Sequence, residues 1–310
     1  MQAFFMCHLS LAREGWLFRL CRYLCQMPDF DESLDQLIRL ALREDLGAGD
    51  HSTLCCIPAG EKGKARLLIK QDCTLAGVAV AEKILRYVHP AIGFTAFKTD
   101  GEKVQRGDVA FETEAPVHTL LACERLLLNC MQRMSGIATL TSRYTEKLAG
   151  FHTRILDTRK TTPNFRLLEK EAVRIGGGSN HRMGLYDMIM LKDNHIDYCG
   201  GIGLALERAK RYVLDTQPDL KIEVETRTLS DVKEAVNTGI PDRIMLDNFS
   251  PADVSAALEI INGRSETEAS GGISLANLLD YAQTGVDFIS AGALIHQAQS
   301  IDLSFKAVAA

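Results

Sequence analysis

Five of the basic side chains between residues 159 and 192 lie at predicted strand ends or directly after the glycine-rich loop at 175–180. They are Arg159, Lys160, His181, Arg182 and Lys192. An arginine fork donates two parallel hydrogen bonds to a carboxylate or phosphate, and a lysine adds a point charge. Because the whole chain carries a net charge of −5, this local excess of cations predicts a site for a polyanionic ligand. Alternatively, these basic side chains form surface ion pairs with neighbouring acids. Such pairing explains the presence of any one of the five residues better than it explains the whole group.

Two acids, Glu225 and Asp247, end consecutive predicted strands and should therefore lie side by side. On a cationic rim, two carboxylates could hold Mg²⁺ or accept hydrogen bonds from ribose hydroxyls. The alternative is that they only neutralise Lys192 or Arg159. We favour the metal or ribose role, because a phosphate site is predicted beside them.

Glycine-rich turns follow the last two predicted strands, SGGI at 270–273 and SAGAL at 290–294. Glycine lets backbone N–H groups approach a phosphate, and the start of a following helix favours negative charge. Paired turns of this kind resemble the phosphate site found in many α/β barrels.

Six short apolar segments carry these residues, each followed by polar residues and a helical stretch. The segments are RILDTRK, MIMLKDNH, KIEVET, RIMLDNF, TEASGGI and FISAGAL, centred near residues 156, 190, 223, 245, 268 and 290. Strands that alternate with helices in this way predict βα units and a parallel sheet. We expect an incomplete α/β barrel of about six strands, with the polar strand ends meeting on one face.

The first half of the chain has a different pattern. Leu34, Ile38 and Leu42 recur at helical spacing and predict a helix. The pattern of residues 64–118 is typical of strands and turns, interrupted by helical segments. The pattern of residues 124–148 predicts one long helix, or two helices end to end. Residues 1–26 differ again, with three arginines against one acid. We predict that they form a disordered extension; an organelle transit peptide is the less favoured alternative.

Composition narrows the class of protein. The 310 residues are 46% apolar and 24% charged, which is typical of a globular protein. The acidic balance argues against a nucleic-acid partner, and no apolar run reaches the ~18 residues that a membrane span needs. The nine cysteines include no CxxC pair, which favours reduced thiols and a cytoplasmic location.

Several long motifs resemble those of the quinolinate phosphoribosyltransferase family. They are ERLLLNCMQRMSGIATLT (124–141), ILDTRKTTPNFR (155–166), GGGSNHRMGLYDMIMLKDNHI (176–196), IEVET, IMLDNF, EASGGI and VDFISAGAL. The resemblance covers the chain from about residue 30 to its end. It implies an N-terminal α/β sandwich over 27–134, joined by the C-terminal tail 297–310, and a barrel over 135–296.

The resemblance also implies roles for individual residues. Arg159, His181, Arg182 and Lys192 would line the quinolinate pocket, with Arg125 contributed by the partner subunit of a homodimer or higher oligomer. Catalytic roles fall to Lys160, Lys192, Glu225 and Asp247, the last two near the ribose and a Mg²⁺ ion. Ser270, Gly271, Gly272, Gly292 and Ala293 match turns around the 5′-phosphate of phosphoribosyl pyrophosphate. One departure is Asn164, which replaces an expected glycine but tolerates positive φ.

The implied reaction is transfer of phosphoribose from phosphoribosyl pyrophosphate to quinolinate with decarboxylation. Its products are nicotinate mononucleotide, carbon dioxide and pyrophosphate. Two rival functions stay open: a nicotinate phosphoribosyltransferase, for which the additional cations would be surplus, and a non-catalytic barrel that binds a phosphate ligand.

Overall fold

A computed structural model describes residues 29–217 and 219–308. The predicted extension at residues 1–26 lies outside the described residues. The first half of the chain contains α1 (Phe30–Leu46), α2 (His51–Cys56), β1 (Lys62–Ile69), β2 (Cys73–Thr74), α3 (Val78–Val88), β3 (Gly93–Ala96), β4 (Lys103–Val104), β5 (Val109–Pro116) and α4 (Val117–Lys147). The second half contains β6 (Arg154–Leu156), α5 (Arg166–Ile175), β7 (Ile189–Leu191), α6 (Asp193–Cys199), α7 (Ile202–Thr216), β8 (Ile222–Thr226), α8 (Leu229–Thr238), β9 (Arg243–Asp247), α9 (Pro251–Ile261), β10 (Glu266–Ser270), α10 (Leu278–Ala282), β11 (Phe288–Ser290), α11 (Ala293–His296) and β12 (Leu303–Val308).

The first sheet is antiparallel and has the strand order β12-β1-β5-β3. Its last strand in the chain, β12, pairs with β1 from Lys64 opposite Val308 to Ile69 opposite Leu303. The C-terminal end of the chain therefore completes a sheet that begins at residue 62. Helix α1 packs nearby through Leu34, Ile38 and Leu42, which are all buried, as their helical spacing predicts.

Helix α4 connects the two halves of the molecule. It has 31 residues and so a length of about 46 Å. Met131, Met134 and Ile137 are completely buried in its middle, which agrees with the apolar stripe seen in the sequence. The predicted boundary between residues 134 and 135 lies inside this helix and stays a prediction.

The second sheet contains six parallel strands in the order β6-β11-β10-β9-β8-β7. They are the six segments predicted from the sequence, and in the part of the chain that the structure describes β6 and β7 do not pair to close the barrel. The incomplete six-stranded α/β barrel is thus confirmed. Helices α8 and α9 cover it with buried Val232, Val236, Val254 and Ala257.

Side chains at the starts of α8 and α9 fix how the chain leaves the strand ends. The Thr228 hydroxyl accepts a hydrogen bond from Asp231 N, and the Ser250 hydroxyl accepts one from Asp253 N. Such caps satisfy N–H groups that have no partner within the helix.

None of the described helices has the length and apolar character needed to cross a bilayer.

Candidate active site

A cavity of about 300 Å³ lies at the carboxyl ends of the barrel strands. Its lining consists of Thr158, Arg159, Lys160, His181, Arg182, Met190, Lys192, Met245, Glu268, Ser270 and Ser290. Six of these were predicted from the sequence: Arg159, Lys160, His181, Arg182, Lys192 and Ser270. The volume is in the range of pockets that bind small molecules.

Two arginines form the most strongly cationic part of the cavity. The Arg182 side chain lies in a buried position, and its pKa is lowered first by burial and then by the charge of Arg159. The Nε atom of Arg159 is buried and has no hydrogen-bond partner among the described residues. Two guanidinium groups that repel each other in a buried setting favour the binding of an anion.

A completely buried ion pair holds the backbone that carries His181 and Arg182. Lys170 of α5 contacts Asp157, which follows β6, and its Nζ donates a 3.0 Å hydrogen bond to His181 O. Asp157 in turn accepts a 2.9 Å hydrogen bond from His181 N. Burial lowers the pKa of Lys170 and raises that of Asp157. The sequence analysis missed Lys170, because nothing in its helical pattern marks a buried lysine.

A second buried acid supports the loop after Arg159 and Lys160. Glu169 is completely buried and lies 2.8 Å from Nη2 of Arg133 on α4. Its other carboxylate oxygen accepts a 2.8 Å hydrogen bond from Thr162 N. The helix pair α4–α5 therefore fixes the position of this cationic loop.

His181 lines the cavity, but its ring nitrogens both face protein atoms. Nε2 lies 3.0 Å from a carboxylate oxygen of Glu223 and 3.3 Å from one of Glu268. Nδ1 lies 2.7 Å from Arg182 N, a contact that is a hydrogen bond in the neutral ring and that protonation of Nδ1 would break. Burial opposes protonation of the ring, but Glu223 and Glu268 outweigh it and raise the pKa of His181 to about 9.

Charged side chains inside the barrel continue this cluster below the cavity. Glu223 and Glu268 are completely buried, and Arg243 lies 3.1 Å from Glu268 and 2.9 Å from Glu266. Burial and then the charge of Glu268 raise the pKa of Glu223. His181, Glu223 and Glu268 could also ligate a metal ion, since their ligand atoms lie within 4.8 Å of one another.

The sequence analysis missed this interior cluster. The available signal was a charged residue two positions before each predicted strand-end residue: Glu223 before Glu225, and Glu268 before Ser270. Alternation along a strand places such residues on the same face.

Glu225 and Asp247 lie at the rim, on the neighbouring strands β8 and β9. Burial and then the charge of Glu225 raise the pKa of Asp247, so the two carboxylates are close enough to affect each other, and their role at the site stays a prediction. Glu225 also accepts a 2.9 Å hydrogen bond from Lys192 Nζ, which is the neutralising contact considered as the alternative. Neither acid lines the cavity.

The two glycine turns lie where the sequence predicted them. Gly271 has φ +94°, and a Cβ atom there would lie 2.9 Å from Asn248 N and collide with the Asn248 side chain. A Cβ atom at Gly292 would lie 3.0 Å from Cδ of Lys160 and 3.2 Å from the His296 ring. Lys160 and the second turn are therefore adjacent, with His296, which the sequence analysis missed, beside them.

The remaining predicted residues have simpler positions. Gly272 is exposed with φ +63°, and Ala293 begins the short helix α11. Asn164 has φ +62°, so the asparagine does adopt the conformation expected of a glycine. Arg125 is exposed on α4 and is not among the residues that line the cavity of its own chain.

Fold and site together define an α/β-barrel protein with an anion-binding cavity at the carboxyl ends of its strands. A family model described as the N-terminal domain of quinolinate phosphoribosyl transferase matches residues 50–135, and the model for the C-terminal domain matches residues 137–306. The chain belongs to the quinolinate phosphoribosyltransferase family.

Similar proteins support this assignment over most of the chain. A Nicotiana tabacum protein named quinolinate phosphoribosyltransferase (decarboxylating) 2b, mitochondrial, is 42% identical over 294 residues, which are 90% of this chain and 83% of that protein. A chloroplastic nicotinate-nucleotide pyrophosphorylase (carboxylating) of Arabidopsis thaliana is 43% identical, with the same coverage. The crystal structure of NadC from Streptococcus pyogenes is similar with a TM-score of 0.83 and 38% identity, covering 89% of this chain and 97% of that one.

Proposed function

We propose that this protein transfers phosphoribose from phosphoribosyl pyrophosphate to quinolinate and decarboxylates the product to nicotinate mononucleotide, a step of NAD biosynthesis. The observation that carries the proposal is the pair Arg159 and Arg182, which both line the cavity and are close enough for the charge of Arg159 to lower the pKa of Arg182 after burial has done so. A ligand with two adjacent carboxylates matches such a pair, because each guanidinium fork binds one carboxylate. Family membership and the names of the relatives support the same reaction.

The dicarboxylate end of the cavity would be formed by Arg159, Arg182 and Lys192. His181 contributes mainly through its position, since its nitrogens contact Glu223, Glu268 and the backbone. The backbone near both arginines is held in place, by the Asp157–Lys170 pair at His181 and by Glu169 at Thr162. Preorganised cations of this kind orient a substrate without rearrangement of the protein.

The phosphoribosyl end would be formed by the glycine turns and Lys160. Backbone N–H groups at Ser270–Gly272 and at Gly292–Ala293 would bind the 5′-phosphate, and Lys160 lies beside Gly292 to meet a second phosphate. Glu225 and Asp247 would accept hydrogen bonds from the ribose hydroxyls at the rim.

The same two acids fit a Mg²⁺ site, because their oxygens are hard ligands and because burial, followed by the charge of Glu225, raises the pKa of Asp247. A bound Mg²⁺ ion would neutralise the pyrophosphate as it leaves. Lys192 would separate from Glu225 or share it with the ion.

The chemistry requires no covalent intermediate with the protein. The pyridine nitrogen attacks the anomeric carbon while the bond to pyrophosphate breaks, and nearby carboxylates stabilise the positive charge that develops on the ribose. The ring nitrogen becomes cationic, which stabilises the electron pair left on C2 when carbon dioxide departs. A proton then adds to C2 and completes the nicotinate ring.

A nicotinate phosphoribosyltransferase is the nearest rival. The human nicotinic acid phosphoribosyltransferase has a similar fold with a TM-score of 0.59, but at 13% identity this likeness concerns the fold alone. Nicotinate has one carboxylate and would leave one guanidinium of the pair without a partner. The second cation in the cavity therefore favours quinolinate.

The direct test is incubation of the purified protein with phosphoribosyl pyrophosphate, Mg²⁺ and either quinolinate or nicotinate. We expect nicotinate mononucleotide from quinolinate only. Arg182→Ala should reduce this activity by at least about a hundredfold, since it removes a buried charge-assisted contact. Arg227→Ala is the matched control, because that arginine is exposed and pairs with Asp197. Product from nicotinate, or no product from a folded protein, would contradict the proposal.

We also propose a homodimer in which Arg125, which is exposed and lies outside the cavity lining of its own chain, completes the partner's cavity. Arg125→Ala and Arg182→Ala should each be nearly inactive, yet a refolded equimolar mixture should recover about a quarter of wild-type activity. Half of the random dimers would then be mixed, and each mixed dimer would hold one intact site. No recovery, in a mixture shown to exchange subunits, would place Arg125 outside the shared site.

The cytoplasmic location stays a prediction. The relatives named mitochondrial and chloroplastic make organelle targeting a real alternative for residues 1–26. Fusions of a fluorescent protein to the full chain and to residues 27–310 would decide between them, because only a targeting segment would make the two distributions differ.

A further inference from the structure

Two adjacent cysteines end helix α2 near the surface of the molecule. Cys55 and Cys56 are both exposed, and their sulfur atoms lie 3.4 Å apart. The Cys55 sulfur is also 3.3 Å from the carbonyl oxygen of Ser52. Two accessible thiols are thus already in contact before any reaction.

The other cysteines in the described ranges have different surroundings. Cys73, Cys123 and Cys130 are buried, and burial raises the pKa of their thiols to about 11, 12 and 12. Their thiolates are scarce at neutral pH and out of reach of solvent. Cys199 is half-buried, and its sulfur lies 3.2 Å from Arg208 with no second thiol beside it. Of these six cysteines, only Cys55 and Cys56 are both exposed to solvent and in contact with another thiol.

We propose that Cys55 and Cys56 form a reversible oxidation site that reacts with peroxides. The thiolate of one cysteine attacks a peroxide oxygen, the O–O bond breaks, and a sulfenic acid and hydroxide form. The second thiol then attacks that sulfur, the S–O bond breaks, and water leaves as the disulfide closes. Two electrons pass from the thiols to the peroxide, and the nearby second thiol prevents further oxidation to sulfinic acid.

Geometry makes this disulfide easy to reduce. Adjacent Cα atoms are about 3.8 Å apart across a trans peptide, whereas disulfides usually join Cα atoms about 4.4–6.8 Å apart. The bond is therefore strained, and a strained disulfide has a more oxidising potential than a structural one. A thiol reductant should restore the pair.

The strain should alter the contact between α2 and α4. Ile57, which directly follows the pair, donates its N–H to Thr53 O at 2.9 Å and accepts a 3.0 Å hydrogen bond from His118 Nε2. His118 belongs to the first turn of α4, the helix that carries Arg125 two turns later. Oxidation should thus lower activity, a consequence that rests on the proposed role of Arg125.

The test begins with the reduced full-length protein and hydrogen peroxide. Free thiols are alkylated after the reaction, and the peptide that contains Cys55 and Cys56 is examined by mass spectrometry. We expect a form that lacks two hydrogen atoms and carries no alkyl group, which dithiothreitol converts back. Cys55→Ser and Cys56→Ser should each abolish it and let the remaining thiol reach sulfinic acid, whereas Cys199→Ser should leave it unchanged. Two alkylated thiols, or sulfinic acid without a disulfide in the wild type, would overturn the proposal.

A second reagent tests the thiol pair without oxidation. Phenylarsine oxide binds two neighbouring thiols at one arsenic atom, so one equivalent should protect both residues from alkylation in the wild type. Failure to protect them would show that the pair is not accessible in the assembled protein.

Activity is measured on the same oxidised samples. We expect a loss between a few-fold and about a hundredfold, the cost of a displacement of about 1 Å in an active site, with recovery in dithiothreitol. If the reduced protein forms no product, the proposed function fails while the disulfide result still stands. If the disulfide forms and activity is unchanged, the connection through His118 and α4 is wrong.

Discussion

At the scale of single residues, the site depends on charges placed where water cannot reach them. Buried groups, Asp157, Lys170 and Glu169, hold the backbone of the loops that carry the arginines of the cavity. An ionised group in such a position is costly unless a partner compensates it. His181 shows this most clearly, since two glutamates hold the proton on its ring.

The pH dependence of stability should report this arrangement. The pKa of His181 is about 9 in the folded protein, above the ~6.5 of an unfolded chain. Protonation therefore stabilises the fold fully below about pH 6.5, and this contribution is lost as the pH rises through about 9. Glu268→Gln removes one carboxylate, so the free energy of unfolding in urea should fall less over this range than in the wild type.

Glu266→Gln provides the control for that experiment. Glu266 belongs to the same strand but pairs with Arg243, so its replacement should leave most of the decline between pH 6.5 and 9 in place. An equal decline in the wild type and in Glu268→Gln would show that this glutamate does not set the protonation of His181.

At the scale of elements, the strand ends and their turns were predictable, whereas the barrel interior was not. Apolar segments followed by Arg159, Lys192 or Asp247 mark the carboxyl ends of strands, and all six strands appeared where these segments lie. The inward position of Glu223 was hidden, because strands of three to five residues do not reveal which face is enclosed. Lys170 was hidden for another reason, since nothing in the pattern of its helix marks a buried lysine. That information comes from pairings between distant parts of the chain.

The turn after β10 allows a prediction about one glycine. Gly271→Ala should weaken the binding of phosphoribosyl pyrophosphate by at least about tenfold, because its Cβ would displace Asn248 and strain a residue at φ +94°. Gly272 also has a positive φ, but a Cβ atom added there by Gly272→Ala would meet no atom within 4 Å. The difference between the two dissociation constants, measured by calorimetry, isolates the collision with Asn248. Equal constants would mean that Asn248 does not fix the turn.

At the scale of the whole molecule, α4 and the C-terminal tail hold the two sheets together. Gln132 Nε2 of α4 donates a 3.1 Å hydrogen bond to Leu303 O, and Ile301 N donates one of 3.0 Å to Gln132 O. Gly136 allows the approach, since a Cβ there would lie 2.9 Å from the carbonyl carbon of Gln299. The resemblance in sequence could indicate that the tail returns, but not which glycine permits it.

Gly136→Ala should therefore destabilise the protein despite the higher helix propensity of alanine. We expect a loss of about 1–3 kcal/mol in the free energy of unfolding, the usual cost of overpacking a close contact. Gly203→Ala, in α7, meets only the end of the flexible Glu234 side chain and should be neutral or stabilising. Denaturant titrations would measure the free energy of unfolding of both variants. If Gly136→Ala proved as stable as Gly203→Ala, the tail would be able to move away from α4 at little cost in free energy.

The pairing of β12 with β1 also has a consequence for how the protein is made. A ribosome releases residues 62–69 long before residues 303–308, so the first sheet must wait for its edge partner until the barrel strands between them have been synthesised. Until then one edge of β1 exposes unpaired N–H and C=O groups, which are a template for pairing with other chains. The nascent chain is thus prone to aggregate until residues 303–308 emerge, and disrupting their pairing with β1 should harm yield in cells more than it harms chemistry in the folded enzyme.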